Sequence, residues 1–151
     1  MEKNIRLKIE SKQYDCDDFD PITGKQDDTF EEMEMFSDGI YSENDGRTEI
    51  RYCESEEAGL AGCITTVSFE TAMPGVVSTL RSGSVLTALV FEKGRRHICS
   101  YEIPEGRFDV CVNTLSLDNA IEDGKGRLYI DYTIEIGGIK KLRTKLALTI
   151  L

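Results

Sequence analysis

The chain has no tryptophan, one histidine (His97), three prolines and no apolar run long enough to span a bilayer as a helix. Each shortage closes off something. A membrane helix is excluded, and an outer-membrane barrel would display aromatic girdles that this Trp-free chain does not show. Residues Met1 to Glu10 alternate apolar with charged side chains and lack the unbroken apolar core of a signal peptide, so the expected compartment is the cytoplasm. With a single histidine, any Ser-His-Asp or Cys-His arrangement would have to pass through His97. No C-x-x-C pair occurs. The five cysteines, Cys16, Cys53, Cys63, Cys99 and Cys111, are odd in number and widely spread, which argues against a disulfide framework and against a zinc site. Cys99 and Cys111 fall inside strand-like runs, where a thiol is expected to act as a small buried hydrophobe.

Positive charge is scarce too: 18 Lys and Arg stand against 28 Asp and Glu, a formal net charge of -10. Such a chain repels nucleic acid and anionic membrane surfaces, so neither is an expected partner, and the acidity reads as a solubility charge. The carboxylates are scattered through loops and outward faces rather than paired for acid and base work. Asp15, Asp17, Asp18 and Asp20 cluster, but without the glycine and terminal glutamate of a helix-flanked calcium loop they read as a solvated turn. Gly124-x-Gly126 lacks the third glycine and following helix of a phosphate cradle and reads as a hairpin turn. No metal, cofactor or catalytic set is expected, and the chain is not expected to be an enzyme.

What the sequence does have is alternation. Leu128, Ile130, Tyr132, Ile134 and Ile136, then Leu142, Thr144, Leu146, Leu148 and Ile150, form two period-2 runs joined at Gly137-Gly138, a hairpin signal. The same pattern runs back through 4–14, 48–54, 60–71, 76–81, 84–92, 95–103 and 107–117, and 30–36 is a strand of mixed pattern. In 4–14, Ile5, Leu7 and Ile9 oppose Arg6, Lys8 and Glu10, so one face is buried and the other wet. Punctuation comes from the acidic stretch 15–28, from Ser37-Asp38-Gly39, and from Asn44-Asp45-Gly46, Pro74-Gly75, Ser82-Gly83, Lys93-Gly94, Pro104-Glu105-Gly106 and Gly124-Lys125-Gly126. The only helix candidates, 54–59 and 117–122, are too short to nucleate unaided. Residues 1–151 therefore read as a single all-β domain of about eight to ten antiparallel, up-and-down strands with few or no helices. Such a meander usually closes into a barrel because closure removes aggregation-prone edges, and about eight strands leave room for side chains or one small ligand; a two-sheet sandwich is the structural alternative.

The succession Arg81-Ser82-Gly83, Val90-Phe91-Glu92-Lys93-Gly94, Tyr101-Glu102-Ile103-Pro104-Glu105-Gly106, Val112-Asn113-Thr114 and Gly126-Arg127-Leu128-Tyr129-Ile130-Asp131-Tyr132 resembles the YwiB-like family of small bacterial proteins. The order and spacing of these pieces carry the match, which is tightest from Arg81 to Tyr132. The resemblance implies a calycin-type, lipocalin-like β-barrel for essentially the whole chain, without an established activity. One departure is Ile103, where the resemblance leads to an expected Thr before the Pro-x-Gly turn. If that Thr lines the family's cavity, this pocket would be drier. A fold alone assigns no activity, so function must be argued from the site.

Alternation places several polar groups indoors if the apolar faces point inward. Thr114 follows Phe108, Val110 and Val112, Tyr132 lies among Leu128, Ile130 and Ile134, Thr144 lies between Leu142 and Leu146, and Tyr101 shares a face with His97 and Cys99. Arg81 follows Val77 and Thr79; on the inward parity it is a buried cation needing a carboxylate or an anionic ligand, and on the other it sits in water. Arg81, His97, Tyr101, Thr114, Tyr132 and Thr144 are thus the candidate residues of an interior site for a small apolar or weakly anionic ligand. The alternative is a structural or interaction barrel with a filled core. In the strand from Val85 to Phe91, Val85, Leu89 and Phe91 share one face and Leu86, Ala88 and Val90 the other. Both faces are apolar, so the outer one calls for cover by a second copy in a homodimer or by the chain's own N-terminal loops.

Overall fold

Apolar residues at every second position, with turn residues between the runs, drive the chain into consecutive hairpins. In the computed structural model these form β1 (Glu2–Asp15), β2 (Phe30–Asn44), β3 (Arg47–Cys53), β4 (Ile64–Glu70), β5 (Val76–Ser82), β6 (Leu86–Glu92), β7 (Arg96–Ile103), β8 (Gly106–Asn119), β9 (Gly126–Ile136) and β10 (Lys140–Ile150). The structure describes residues 1–15, 30–54, 62–136 and 140–151, and no helix occurs among them. Each strand pairs antiparallel with its sequence neighbour, and β1 pairs with β10, from Leu7 opposite Ile150 to Asp15 opposite Leu142. That last pairing closes the barrel and leaves no free edge.

Two of the turns that join these strands are Asp-Gly pairs in left-handed backbone. Asp45 and Gly46 have φ of 51° and 76°, and Asp123 and Gly124 have 52° and 71°. This geometry matches the right-handed twist of flanking strands, and it is why Asp-Gly is favoured there. Ser37-Asp38-Gly39, by contrast, does not end a strand: β2 runs through it, pairing Gly39 with both Ile5 and Tyr52. Gly39 is there for close approach, since a Cβ on it would meet the Arg51 carbonyl oxygen at 2.9 Å and Leu7 Cδ1 at 3.0 Å. Residues 117–119 finish β8 as strand rather than starting a helix, because Leu117, Asp118 and Asn119 continue the β9 ladder past a bulge at Thr114/Ser116. All of the helix candidate 54–59 but Glu54, the Gly137-Gly138 loop, Cys16 and the acidic residues Asp17, Asp18 and Asp20 lie outside the described residues.

The inward positions are the ones alternation selects. Leu7, Ile50, Val77, Phe91, Val112, Ile130 and Leu148 are all buried in one core cluster, each side chain worth about 1.5–3 kcal/mol of burial. The interior is not uniform along the barrel axis. Toward the end where β2–β3, β4–β5 and β8–β9 turn, it is filled by Tyr41, Ile50, Phe69, Val77, Val112 and Ile121. Cys99 joins this core, but Cys111 does not: it is half-buried on the outer face, where Arg96 donates hydrogen bonds to its sulfur from Nη2 at 3.2 Å and Nε at 3.4 Å.

Candidate functional site

Toward the opposite end, where β5–β6 and β7–β8 turn, the interior opens into a cavity of about 330 Å³. Its far side and floor are aliphatic and aromatic, including Ile9, Phe91, Leu128, Ile130 and Leu148. On the near wall the strand register lays a row of polar side chains side by side. Tyr52 is opposite Thr65, Thr65 opposite Arg81, Arg81 opposite Thr87, and Thr87 opposite Tyr101. Directly opposed residues hold their Cβ atoms only about 5 Å apart, so these five inward side chains form one continuous band over β3 to β7. The next inward row, Ile50, Val67, Thr79 and Leu89, is mostly apolar.

Arg81 takes the inward parity and finds a carboxylate partner. Its Nη2 donates to Glu54 Oε1 at 3.2 Å and its Nε to Thr65 Oγ1 at 3.4 Å, while Thr65 Oγ1 donates to the same Glu54 oxygen at 2.6 Å. The Glu54 side chain is only 4% exposed and that of Arg81 33%. The cation is thereby matched within the wall, as a buried charge must be. Tyr52 adjoins the pair; burial, and then the charge of Glu54, push its phenol well above the ordinary tyrosine range, against a smaller opposing effect of Arg81. Thr87 is different. It is 4% exposed, and its Oγ1 is buried with no hydrogen-bond partner among the described residues.

Across the cavity, Tyr132 packs its ring on Phe91 at 4.6 Å between centroids. Burial raises its pKa, opposed by a hydrogen bond with Thr144 and by the charge of Arg81. Arg81, Tyr101, Tyr132 and Thr144 thus share this cavity, as the inward parity of their strands requires. Thr114 and His97 do not line it. Thr114 is fully buried, and its Oγ1 accepts a hydrogen bond from the Glu92 backbone N–H at 3.3 Å, tying the end of β6 to β8. His97 sits at the start of β7, toward the filled end; its Nε2 is buried with no hydrogen-bond partner among the described residues. Ile103, where a threonine was expected, does not line the cavity either, so that position has no part in these walls.

Glu54, Thr87, Tyr52 and Thr65 were not singled out by the sequence reasoning. Alternation does contain a signal for them: Glu54 continues the inward parity of Ile50 and Tyr52, and Thr87 lies between Val85 and Leu89. A larger hollow of about 950 Å³ lies on the outside, along Lys3, Arg6, Asp38, Arg51 and Lys125. These side chains are exposed, so water competes there with any ligand, whereas the interior cavity is largely removed from solvent. Among the described residues no three His, Cys, Asp or Glu side chains gather as metal ligands would.

A family profile described as Domain of unknown function (DUF1934) matches residues 21–148. The chain belongs to the DUF1934 family. The Uncharacterized beta-barrel protein YwiB of Bacillus subtilis (strain 168) is 26% identical to this DUF1934 chain over 113 residues, which is 75% of this chain and 76% of the relative. The crystal structure of ywiB protein from Bacillus subtilis matches with a TM-score of 0.74 and 22% identity, over 99% of this chain and 93% of that one. At that identity the likeness is one of fold, and the closed barrel of this DUF1934 chain is shared with that neighbour. No helix among the described residues is long and apolar enough to cross a membrane.

Proposed function

We propose that this DUF1934 barrel is a calycin-like binding protein that takes one small apolar or weakly anionic ligand into its interior. A single observation carries the reading: a cavity of about 330 Å³ whose largely apolar walls, with Ser11, Gln13 and Thr144 among them, meet a band of polar groups on β3 to β7 that includes a buried hydroxyl no described residue satisfies. Small-molecule sites have this composition, apolar lining with a few convergent polar tips, and a filled structural core would not leave the space. The reading is of a carrier or sensor rather than of an enzyme: among the described residues that line the cavity there is neither histidine nor cysteine, and the Glu54 carboxylate is held by Arg81 and Thr65. The free, unpaired cysteines Cys53, Cys63 and Cys99 suit a reducing cytoplasm.

Native mass spectrometry of the protein purified from a bacterial extract tests it. The expected result is a small adduct that is lost on denaturation, and absent from a Thr79→Trp variant in which an indole fills the cavity. Because the chain has no other tryptophan, blue-shifted emission from that indole shows that the variant is folded with its ring inside. Bare protein in extract, with no stabilisation by any member of a small-molecule panel, would refute the reading.

One observation favours a second reading, an interaction barrel. Leu80, Leu86 and Ile98 are exposed on the outer face of β5 to β7, Ile98 to 75%. Leu80 lies opposite Ala88 and Ala88 opposite Ser100, with Leu86 and Ile98 each two positions from that row, so the apolar side chains are spread over three adjacent strands. A second copy of the chain laid on this face through β6 would bury them. The segment 16–29, the other cover suggested by the sequence, lies outside the described residues.

A further inference from the structure

Resting on the interior-ligand reading, we infer that the cavity selects a neutral amphiphile: an uncharged hydrogen-bonding head at Thr87, beside Arg81, and an aliphatic body of about ten carbons on the apolar floor. The inference decides between the two kinds of head that the reading admits.

Among the described residues that line the cavity, Arg81 and Glu54 are the only ones that carry charge. They are bound to each other, and Thr65 bonds to both, so the wall is neutral as it stands. A ligand carboxylate entering here would leave one uncompensated negative charge in a desolvated interior. It would also compete with Glu54 for the same guanidinium while being repelled by it. Such sites push a carboxyl toward its neutral form, often by more than one pKa unit. A hydroxyl, ester or amide carries no such penalty.

The hydrogen-bonding geometry points the same way. Thr87 lies directly between Arg81 and Tyr101 in the polar band. Thr87 is a wall residue of the cavity, and its hydroxyl is buried and unpartnered among the described residues. A hydroxyl can both donate and accept, so one neutral head group satisfies it completely, whereas an empty cavity leaves it short of a partner at a cost. Arg81 spends two of its N–H groups on Glu54 and Thr65 and retains others for an accepting oxygen. Immediately beside the band come Leu89 and Val67, then Ile130 and Leu148, which offer an aliphatic body nothing but apolar contact. Size completes the description: 330 Å³ is about eleven waters' share of liquid volume, close to the bulk of a ten-carbon alcohol.

The test compares decanol, decanoate and decane on the full chain at neutral pH by calorimetry and thermal shift, in the wild type, Thr87→Val, Thr87→Ser and the cavity-filled Thr79→Trp. The expected result is that decanol binds at least about tenfold more tightly than decanoate. Thr87→Val should weaken decanol about fivefold, the worth of one hydrogen bond, and leave decane unchanged. Thr87→Ser, which keeps the hydroxyl, should restore decanol binding. Decanoate binding as tightly as decanol, or decanol unaffected by Thr87→Val, would overturn the inference while leaving the interior-ligand reading standing. If none of the three binds and Thr79→Trp behaves like the wild type toward all of them, both fall together.

Discussion

The ion pair in the cavity wall makes a prediction with a calculable size. Replacing Arg81 with Met keeps the apolar stem and removes the cation, leaving Glu54, 4% exposed, with Thr65 as its hydrogen-bond donor in the polar band. Removing one partner of a fully buried pair costs about 3–5 kcal/mol. Here Arg81 keeps a third of its side-chain surface, so solvent screening lowers the expected cost to about 2–3 kcal/mol. For a chain of this length that corresponds to a fall in Tm of roughly 5–10 °C. The control is the same substitution in a Glu54→Gln background, where no charge remains to be stranded and the loss is mainly stem packing, under about 1 kcal/mol. Urea unfolding of the wild type, both single variants and the double variant closes the cycle, and a coupling of about 1.5 kcal/mol or more is expected. If Arg81→Met costs the same in both backgrounds, the two charges are screened by water inside the barrel. The account of a dry, charge-neutral wall would then be wrong.

Alkaline pH probes the same wall through its phenols. Tyr52 and Tyr132 both have pKa values raised by burial, so each contributes stability that is fully present below the unfolded tyrosine value of about 10 and is lost as pH rises through the folded value. Their phenolate absorbance should therefore appear together with loss of the β circular-dichroism signal, and Tyr52→Phe should make the alkaline transition later; phenolate from all the tyrosines in a still-folded protein would contradict this. On the outer face, the Ile98→Lys substitution should convert a dimer to a monomer in light scattering if a second copy covers β6, and a wild-type monomer at high concentration would dispose of that reading.

The fold was readable because its signal is redundant. Most strands carry their own period-2 pattern, and closure follows from there being many of them in succession. The errors fall where a local cue had two physical meanings. Gly39 looked like a turn after Ser37-Asp38 but serves close packing against Leu7 and the Arg51 carbonyl. That role becomes visible only when β1 and β3 lie on either side of β2. Residues 117–119 looked apolar and acidic enough for a short helix, yet in the structure they continue the β9 ladder.

The site was half readable, and the half that was missed is instructive. Alternation gives each side chain a face but not a height along the barrel axis, and height is what separates Tyr132 and Arg81, in the open half, from His97, toward the filled one. Height comes from the stagger between strands, which no single strand encodes. The same missing coordinate hid the partner of Arg81. A cation on an inward face demanded a carboxylate, and Glu54 was available at the right parity. Only the pairings of Tyr52 with Thr65 and of Thr65 with Arg81 bring Glu54, just beyond β3, to the guanidinium. Once that pair is closed, the polar band changes character. Arg81 is no longer a free cation awaiting an anion, and the unmet demand in the cavity passes to the neutral hydroxyl of Thr87, next along the row. On the proposed reading, selectivity in this barrel is set less by the Arg81 guanidinium than by the Glu54 carboxylate that already neutralises it.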